Sequence, residues 1–248
     1  MASVEALLPV ILIGIGLAIG PALAVAVYVA RSHRALWMAF LWGWAGWLIA
    51  LVLRLIPVQI PQVLFLPQIQ TDIMAALLFG FYASALAGLF EEGIRYFFLR
   101  RPALRASGKS ILSFGLGWGL GEALILFVPA VALLPLVPGP APSTLAILPG
   151  ALERNLAIIA HVALTFIVLH AVAGRRGLLV LAIGLHFALN AAALSVLILT
   201  ADVWLTELAI AAVVVVILAI ATWVSRGWAV PPVEATEPPP PEAEPPGA

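Results

Sequence analysis

The chain has 248 residues, of which 64% are hydrophobic and only 10% charged. Its formal net charge is zero, so no overall charge directs it to nucleic acid or to an acidic partner. It has no cysteine, which excludes disulfides, thiolate metal sites and cysteine nucleophiles. A soluble domain averages about 45–50% apolar and about 25% charged residues. Here the excess lies in runs of roughly 20 residues, the length that crosses a bilayer's hydrocarbon. The expected fold is therefore all-α: a multi-pass bundle of about seven transmembrane helices within residues 1–226, in the cell (plasma) membrane.

The first span, 4–30, is read as retained and not as a signal peptide, because no basic segment precedes it and no clear cleavage site follows. The second, 35–56, carries Trp37, Trp42, Trp44 and Trp47, which suit packing or interfacial anchoring. Arg54, near its end, is expected to snorkel to the interface. Pro57, Pro61 and Pro67 then predict an irregular connection. The third span, 72–99, holds Glu91, Glu92 and Arg95 in an otherwise apolar run, and a basic loop from Arg100 to Lys109 follows. The fourth, 110–134, opens with Gly115, Gly117, Gly119 and Gly121, a spacing that lets helices approach closely, and continues to Glu122. An uncharged, proline-rich loop runs from Pro135 to Pro149.

The fifth span, 151–173, begins with Glu153-Arg154, read as a structural pair or a helix cap, and contains His161 and His170. His170, near the span's end, is read as an interhelical hydrogen bond, and His33 as a solvated loop residue. The sixth span, 178–199, contains His186 and, one turn on, Asn190. The seventh, 203–224, is read as plain Val/Ile/Leu/Ala facing lipid. Residues 227–248 are rich in proline and glutamate without apolar periodicity, and are expected to be a disordered cytoplasmic tail. Arg31, Arg34, Arg100, Arg101, Arg105, Lys109, Arg175, Arg176 and Arg226 fall in the loops after spans one, three, five and seven. The positive-inside rule then puts the N-terminus outside and the C-terminus in the cytoplasm.

An ionisable side chain at membrane depth costs roughly 2.5–3.5 kcal/mol on insertion scales, so the buried ones need partners. At ~1.5 Å per helical residue, Glu91, Glu92 and His186 lie ~12 Å, and Glu122 and His161 ~18 Å, from the cytoplasmic ends of their spans. Four consecutive spans thus carry a carboxylate or imidazole within one slab. A shared polar chamber between spans three to six accounts for it. Two histidines and a carboxylate form a frequent catalytic zinc set with one position left to water. His161, His186 and Glu122 suit the ligands. Glu91 suits the general base towards a water that the metal acidifies to a pKa of about 7. Glu92 and Arg95, three apart, can neutralise each other. Asn190 can donate to a developing oxyanion or orient a ligand. Adjacent glutamates point about 100° apart, so which of Glu91 and Glu92 faces inward is a matter for the coordinates.

The series Glu91-Glu92-Gly-Ile-Arg95, Gly117-Trp118-Gly-Leu-Gly-Glu122, Glu153-Arg154 with His161, and His186-Phe-Ala-Leu-Asn190 resembles the motifs of the YhfC family of intramembrane metalloproteases. That family is similar to PrsW-type and CAAX prenyl endopeptidase-type proteases. The resemblance implies that Glu91 activates the water, that Glu92 orients Arg95, and that Glu122, His161 and His186 lie on the metal side. Two residues separate the glutamates from the arginine here, where CAAX-type enzymes generally have three, which argues against prenylated CAAX substrates. The implied activity is hydrolysis of a peptide bond in a membrane protein or peptide. The expected partners are that substrate and the lipid bilayer, not nucleic acid. Two alternatives stand beside it. One is a non-catalytic scaffold or chaperone, since the superfamily includes such a subunit. The other is an ion-coupled transporter, against which no internal repeat or pair of broken helices is evident.

Overall fold

In the computed structural model, which describes residues 4–31, 33–136 and 144–226, the chain is all-helical and the described residues contain no strand. Seven segments among them are long and apolar enough to cross a membrane. They are α1 (Val4–Ala30), α2 (Arg34–Thr71) and α3 (Ile73–Leu99), then a fourth built from three pieces, and then α6 (Thr144–Val172), α7 (Gly177–Thr200) and α8 (Val203–Ser225). The fourth joins α4 (Gly108–Glu122), a π-helical turn (Ala123–Phe127) and α5 (Val128–Ala132). The tail expected beyond residue 226 and the middle of the proline-rich loop, 137–143, lie outside the described residues.

Short polar residues start the helices. Asp72 Oδ1 accepts from the backbone N–H groups of Met74 (2.7 Å) and Ala75 (3.3 Å) at the head of α3. Asp202 does the same for α8, and Ser107 for α4. Each satisfies orphan amides that would otherwise lack a partner, an arrangement typically worth ~1 kcal/mol.

The irregular connection expected across Pro57, Pro61 and Pro67 is instead helix. α2 runs on to Thr71 with a single break at Phe65 (φ −123°, ψ 19°). A proline has no N–H for the carbonyl four residues back. The carbonyl that Pro61 leaves is that of Pro57, and the Tyr82 hydroxyl of α3 donates to it at 2.9 Å. A partner from a neighbouring helix is what lets proline persist in a membrane helix.

Glycines set how closely the helices meet. A Cβ at Gly117 of α4 would run into the Phe40 carbonyl of α2, and one at Gly43 of α2 into the Phe114 carbonyl of α4. On the other side of α4, a Cβ at Gly119 would lie 2.8 Å from the Cα of Ile158 in α6. α6 is the central helix, with Ala160, Leu164, Ile167 and Val168 fully buried. The lateral surface is apolar: Leu12, Ile56, Val180 and Leu199 are all well exposed, as suits lipid. The seventh span is not wholly lipid-facing. Ile210, Val214, Ile217, Ala221 and Val224 of α8 are buried, while Leu208 and Val215 face outward.

The basic loops gather at one end. Arg175 Nη1 donates to the Val224 carbonyl at 3.4 Å, which brings the end of α8 to the loop between α6 and α7. The N-terminal halves of α3, α6 and α8 therefore lie at the opposite end.

Candidate metal centre

α3 presents Glu91 and Glu92 in one turn, both buried, at 1% and 0% exposure. They meet different neighbours. Glu91 Oε1 accepts from Arg54 Nη1 of α2 at 2.6 Å, and its Oε2 accepts from Trp118 Nε1 of α4 at 3.0 Å. Glu92 accepts from Arg95 Nη1 on both oxygens, at 2.5 and 2.6 Å, and from His186 Nδ1 of α7 at 2.7 Å. The Arg95 guanidinium, itself fully buried, lies 4.4 Å above the Trp118 ring and donates from Nη2 to His161 Nδ1 at 3.0 Å. Glu122 Oε1 accepts from Arg154 Nη1 at 2.8 Å, and its Oε2 stands 2.8 Å from His161 Nε2. Arg154 also pairs with its neighbour Glu153.

Three carboxylates are thus matched by three arginines: Glu91 with Arg54, Glu92 with Arg95, Glu122 with Arg154. Two histidines join the pairs, their ring centroids 5.5 Å apart. The protons can be placed by chemistry. Arginine only donates, so His161 Nδ1 is an acceptor, its proton sits on Nε2, and that nitrogen donates to Glu122. His186 donates from Nδ1 to Glu92, and its Nε2 faces Glu91 Oε2, 4.0 Å away. The network encloses a cavity of about 150 Å³ lined by Arg54, Glu91, Glu122, His161, His186 and Asn190.

A family model described as YhfC intramembrane metalloprotease matches residues 10–137. The chain belongs to the YhfC family. The matched stretch holds Glu91, Glu92, Arg95 and Glu122, while His161, His186 and Asn190 lie beyond it. No curated protein matches the chain. Its seven apolar helices make this YhfC member a multi-pass integral membrane protein, and the family's name implies a metal.

The buried residues fit one. One ligand atom each from Glu91, His161 and His186 lies within 4.8 Å of the other two. The set has the His₂-carboxylate composition common for zinc. His186 is already arranged as a ligand should be, with a carboxylate on its far nitrogen fixing the tautomer. His161 fits with one adjustment. Its one ring lone pair, on Nδ1, is taken up by Arg95, so the ring must release Arg95 to offer it to a metal, and can keep its Nε2 proton on Glu122.

All seven residues singled out from the sequence lie in or around this cavity. Asn190 borders it without a hydrogen bond to any described residue, so its amide is available. Glu122 stands behind His161, and the carboxylate that reaches both histidines is Glu91. Arg54 does not snorkel but reaches inward to Glu91. Arg154 likewise does more than pair with Glu153, since it also holds Glu122. Trp118 supplies a hydrogen bond to Glu91 and a π face to Arg95 that spacing alone does not disclose. His170 contacts the Ser225 hydroxyl at 3.2 Å, an interhelical bond. Glu207, on the buried face of α8, is a further intramembrane carboxylate that a plain apolar reading of that span passes over, though its charge alone flags it.

Proposed function

We propose that the protein is an intramembrane metallo-endopeptidase that hydrolyses a peptide bond of a membrane protein or peptide within the bilayer. The observation that carries this reading is the convergence of Glu91, His161 and His186 beside a polar cavity in an otherwise apolar bundle. Zinc is the ion best matched to one carboxylate and two imidazoles. Bound there, it would supply a Lewis acid that polarises the scissile carbonyl and acidifies water. Glu91, His161 and His186 would hold it, and Glu92 keeps the His186 ring in place through Nδ1. Glu122 is then the carboxylate left on the cavity wall to take a proton from the attacking water and return it to the leaving amine. This exchanges the roles that sequence spacing gives Glu91 and Glu122. What supports the exchange is that Glu91, and not Glu122, comes within reach of both histidines. Asn190 donates its amide to the carbonyl oxygen as charge develops there. Arg95 and Trp118 are positioning residues. In this reading the positive-inside rule favours an N-terminus outside and a C-terminus in the cytoplasm, in the cell membrane.

The test compares zinc content and peptide cleavage in purified Glu91→Gln, Glu122→Gln and His186→Ala. Glu91→Gln and His186→Ala are expected to lose bound zinc and activity together. Glu122→Gln is expected to keep zinc and to slow turnover by about 10²–10⁴. Wild-type protein without stoichiometric metal, or cleavage that survives in all three variants, sinks the proposal. One observation favours a second reading, a non-catalytic scaffold. Every carboxylate of the chamber already has an arginine, so the network is complete without a ligand. That reading requires no stoichiometric metal and tolerance of Glu91→Gln in a functional assay.

A further inference from the structure

A second cleft, of about 770 Å³, opens between α2, α3, α6, α7 and α8. Its walls come from the halves of α3, α6, α7 and α8 that lie away from the basic loops, and it descends to the polar cavity. Arg54, Glu153, Asn190, Ala193 and Ile210 line both spaces, so the two adjoin. Most of the cleft is apolar, with Leu55, Phe79, Leu194 and Ile198 among its walls. Two carboxylates interrupt it, Glu153 and Glu207. Glu153 is engaged by Arg154.

Glu207 has no such partner. It is only 7% exposed, its Oε2 makes no hydrogen bond, and no ion pair among the described residues includes it. An unpaired buried charge costs several kcal/mol after relaxation. The carboxylates in and around the chamber, Glu153 included, each meet that cost with an arginine. Glu207, on the wall of a cleft beside the chamber, can meet it with a proton or with a cation that arrives with a ligand.

We propose that Glu207 is a specificity subsite that binds a basic side chain, lysine or arginine, of a peptide substrate admitted through this cleft. The proposal rests on the peptidase reading above and names its substrate class. Ile210, which already borders the polar cavity, is three residues along α8 from Glu207, a rise of ~4.5 Å. An extended peptide advances ~3.3–3.6 Å per residue, so Glu207 lies about one to two residues of extended peptide from the wall of the polar cavity. Asn190, shared by both spaces and free of hydrogen bonds to described residues, is placed to hold the peptide backbone between them.

The test uses the full-length protein in lipid nanodiscs and short apolar peptides that carry one lysine, each paired with the same peptide carrying norleucine instead. Cleavage by the zinc-loaded protein is mapped by mass spectrometry, and binding to the metal-free protein is followed by fluorescence anisotropy. Lysine peptides are expected to bind at least about tenfold more tightly than their norleucine twins, and to be cut at a fixed spacing from the lysine. In Glu207→Gln the lysine-to-norleucine ratio is expected to fall to near one. Equal binding of the two peptides by the wild type overturns the subsite without any variant having to fold. So does a ratio that survives Glu207→Gln, or no binding of any peptide. Cleavage without lysine preference leaves the peptidase and removes the subsite. Lysine-dependent binding that Glu207→Gln abolishes, with no cleavage by the wild type, keeps the subsite and removes the peptidase.

Discussion

Arg54→Gln is expected to weaken the metal-free protein and to tighten its hold on zinc. Arg54 donates to Glu91 Oε1 at 2.6 Å, and the carboxylate it covers is the one in reach of both histidines. The arginine and a divalent cation therefore compete for the same oxygen and for the same negative charge. Glu91 is 1% exposed and Arg54 17%, so the pair is shielded on one side only. A hydrogen bond to a charged group contributes about 1.5–3 kcal/mol. The lower part of the 3–5 kcal/mol for breaking a buried pair is appropriate here, because Arg54 is only partly enclosed. Trp118 Nε1 still donates to Glu91 Oε2 at 3.0 Å in the variant, which limits the loss. Wild-type zinc binding has to offset the displaced contact, and the variant's does not, so affinity should rise by about ten- to a hundredfold. Competition against a chromogenic chelator reads the affinity, and thermal unfolding with and without zinc reads the stability. An unchanged or weaker zinc affinity in a folded Arg54→Gln protein would refute Glu91 as a ligand in competition with Arg54.

Glu92→Gln removes the partner of an arginine with no exposed surface, so it should destabilise the protein by about 3–5 kcal/mol, read as a lowered unfolding midpoint. The same change weakens the acceptor that holds His186 Nδ1, and zinc affinity should fall about 10–100-fold. Gly117→Val forces α2 and α4 apart at the Phe40 carbonyl and should lose about 1–3 kcal/mol, with Trp118 fluorescence altered as its ring leaves Arg95. Tyr82→Phe strips the donor from the Pro57 carbonyl at a cost of about 0.5–1.5 kcal/mol. It should quicken amide exchange along the proline-bearing stretch of α2 while leaving zinc content unchanged.

How much of this could be read from residues alone follows from what each feature depends on. The spans were legible because length and apolarity settle them locally, and Glu91, Glu92, Glu122, His161 and His186 stood out because charge in an apolar run is locally anomalous. Partner choice is different. Whether Arg54 points out to the headgroups or in to Glu91 depends on the angle at which α2 crosses α3 and α4, and glycine contacts such as Gly43 against Phe114 set that angle. The assignment of a carboxylate to both histidines likewise turns on which side of α3 Glu91 occupies, about 100° from Glu92. The prolines misled for a physical reason. Taken singly they break helices, but the Tyr82 hydroxyl that sustains α2 at Pro57 lies on the next helix, 25 residues away. Glu207 was visible as a charge in an apolar span, and its place on the cleft wall depends on the packing of α8 against α6 and α7.

The three ion pairs divide the work of the chamber by how tightly each is enclosed. Glu92 and Arg95 have no exposed surface, sit one turn apart on the same helix, and are braced by the Trp118 ring. That pair cannot open without leaving two bare charges in a medium of low dielectric, so it acts as a fixed post from which His186 is held, while His161, which accepts from Arg95 in the metal-free site, is the ring that moves. The other two pairs stand on the cavity wall and keep some exposed surface, Arg54 at 17% and Arg154 at 11%. Their arginines are less tightly enclosed than Arg95, and the carboxylates they cover are the two that the proposed chemistry needs, Glu91 for the metal and Glu122 for the proton. A chamber closed by three equally buried pairs would be stable and inert. One rigid pair and two adjustable ones give a site that keeps His186 oriented while its carboxylates exchange partners.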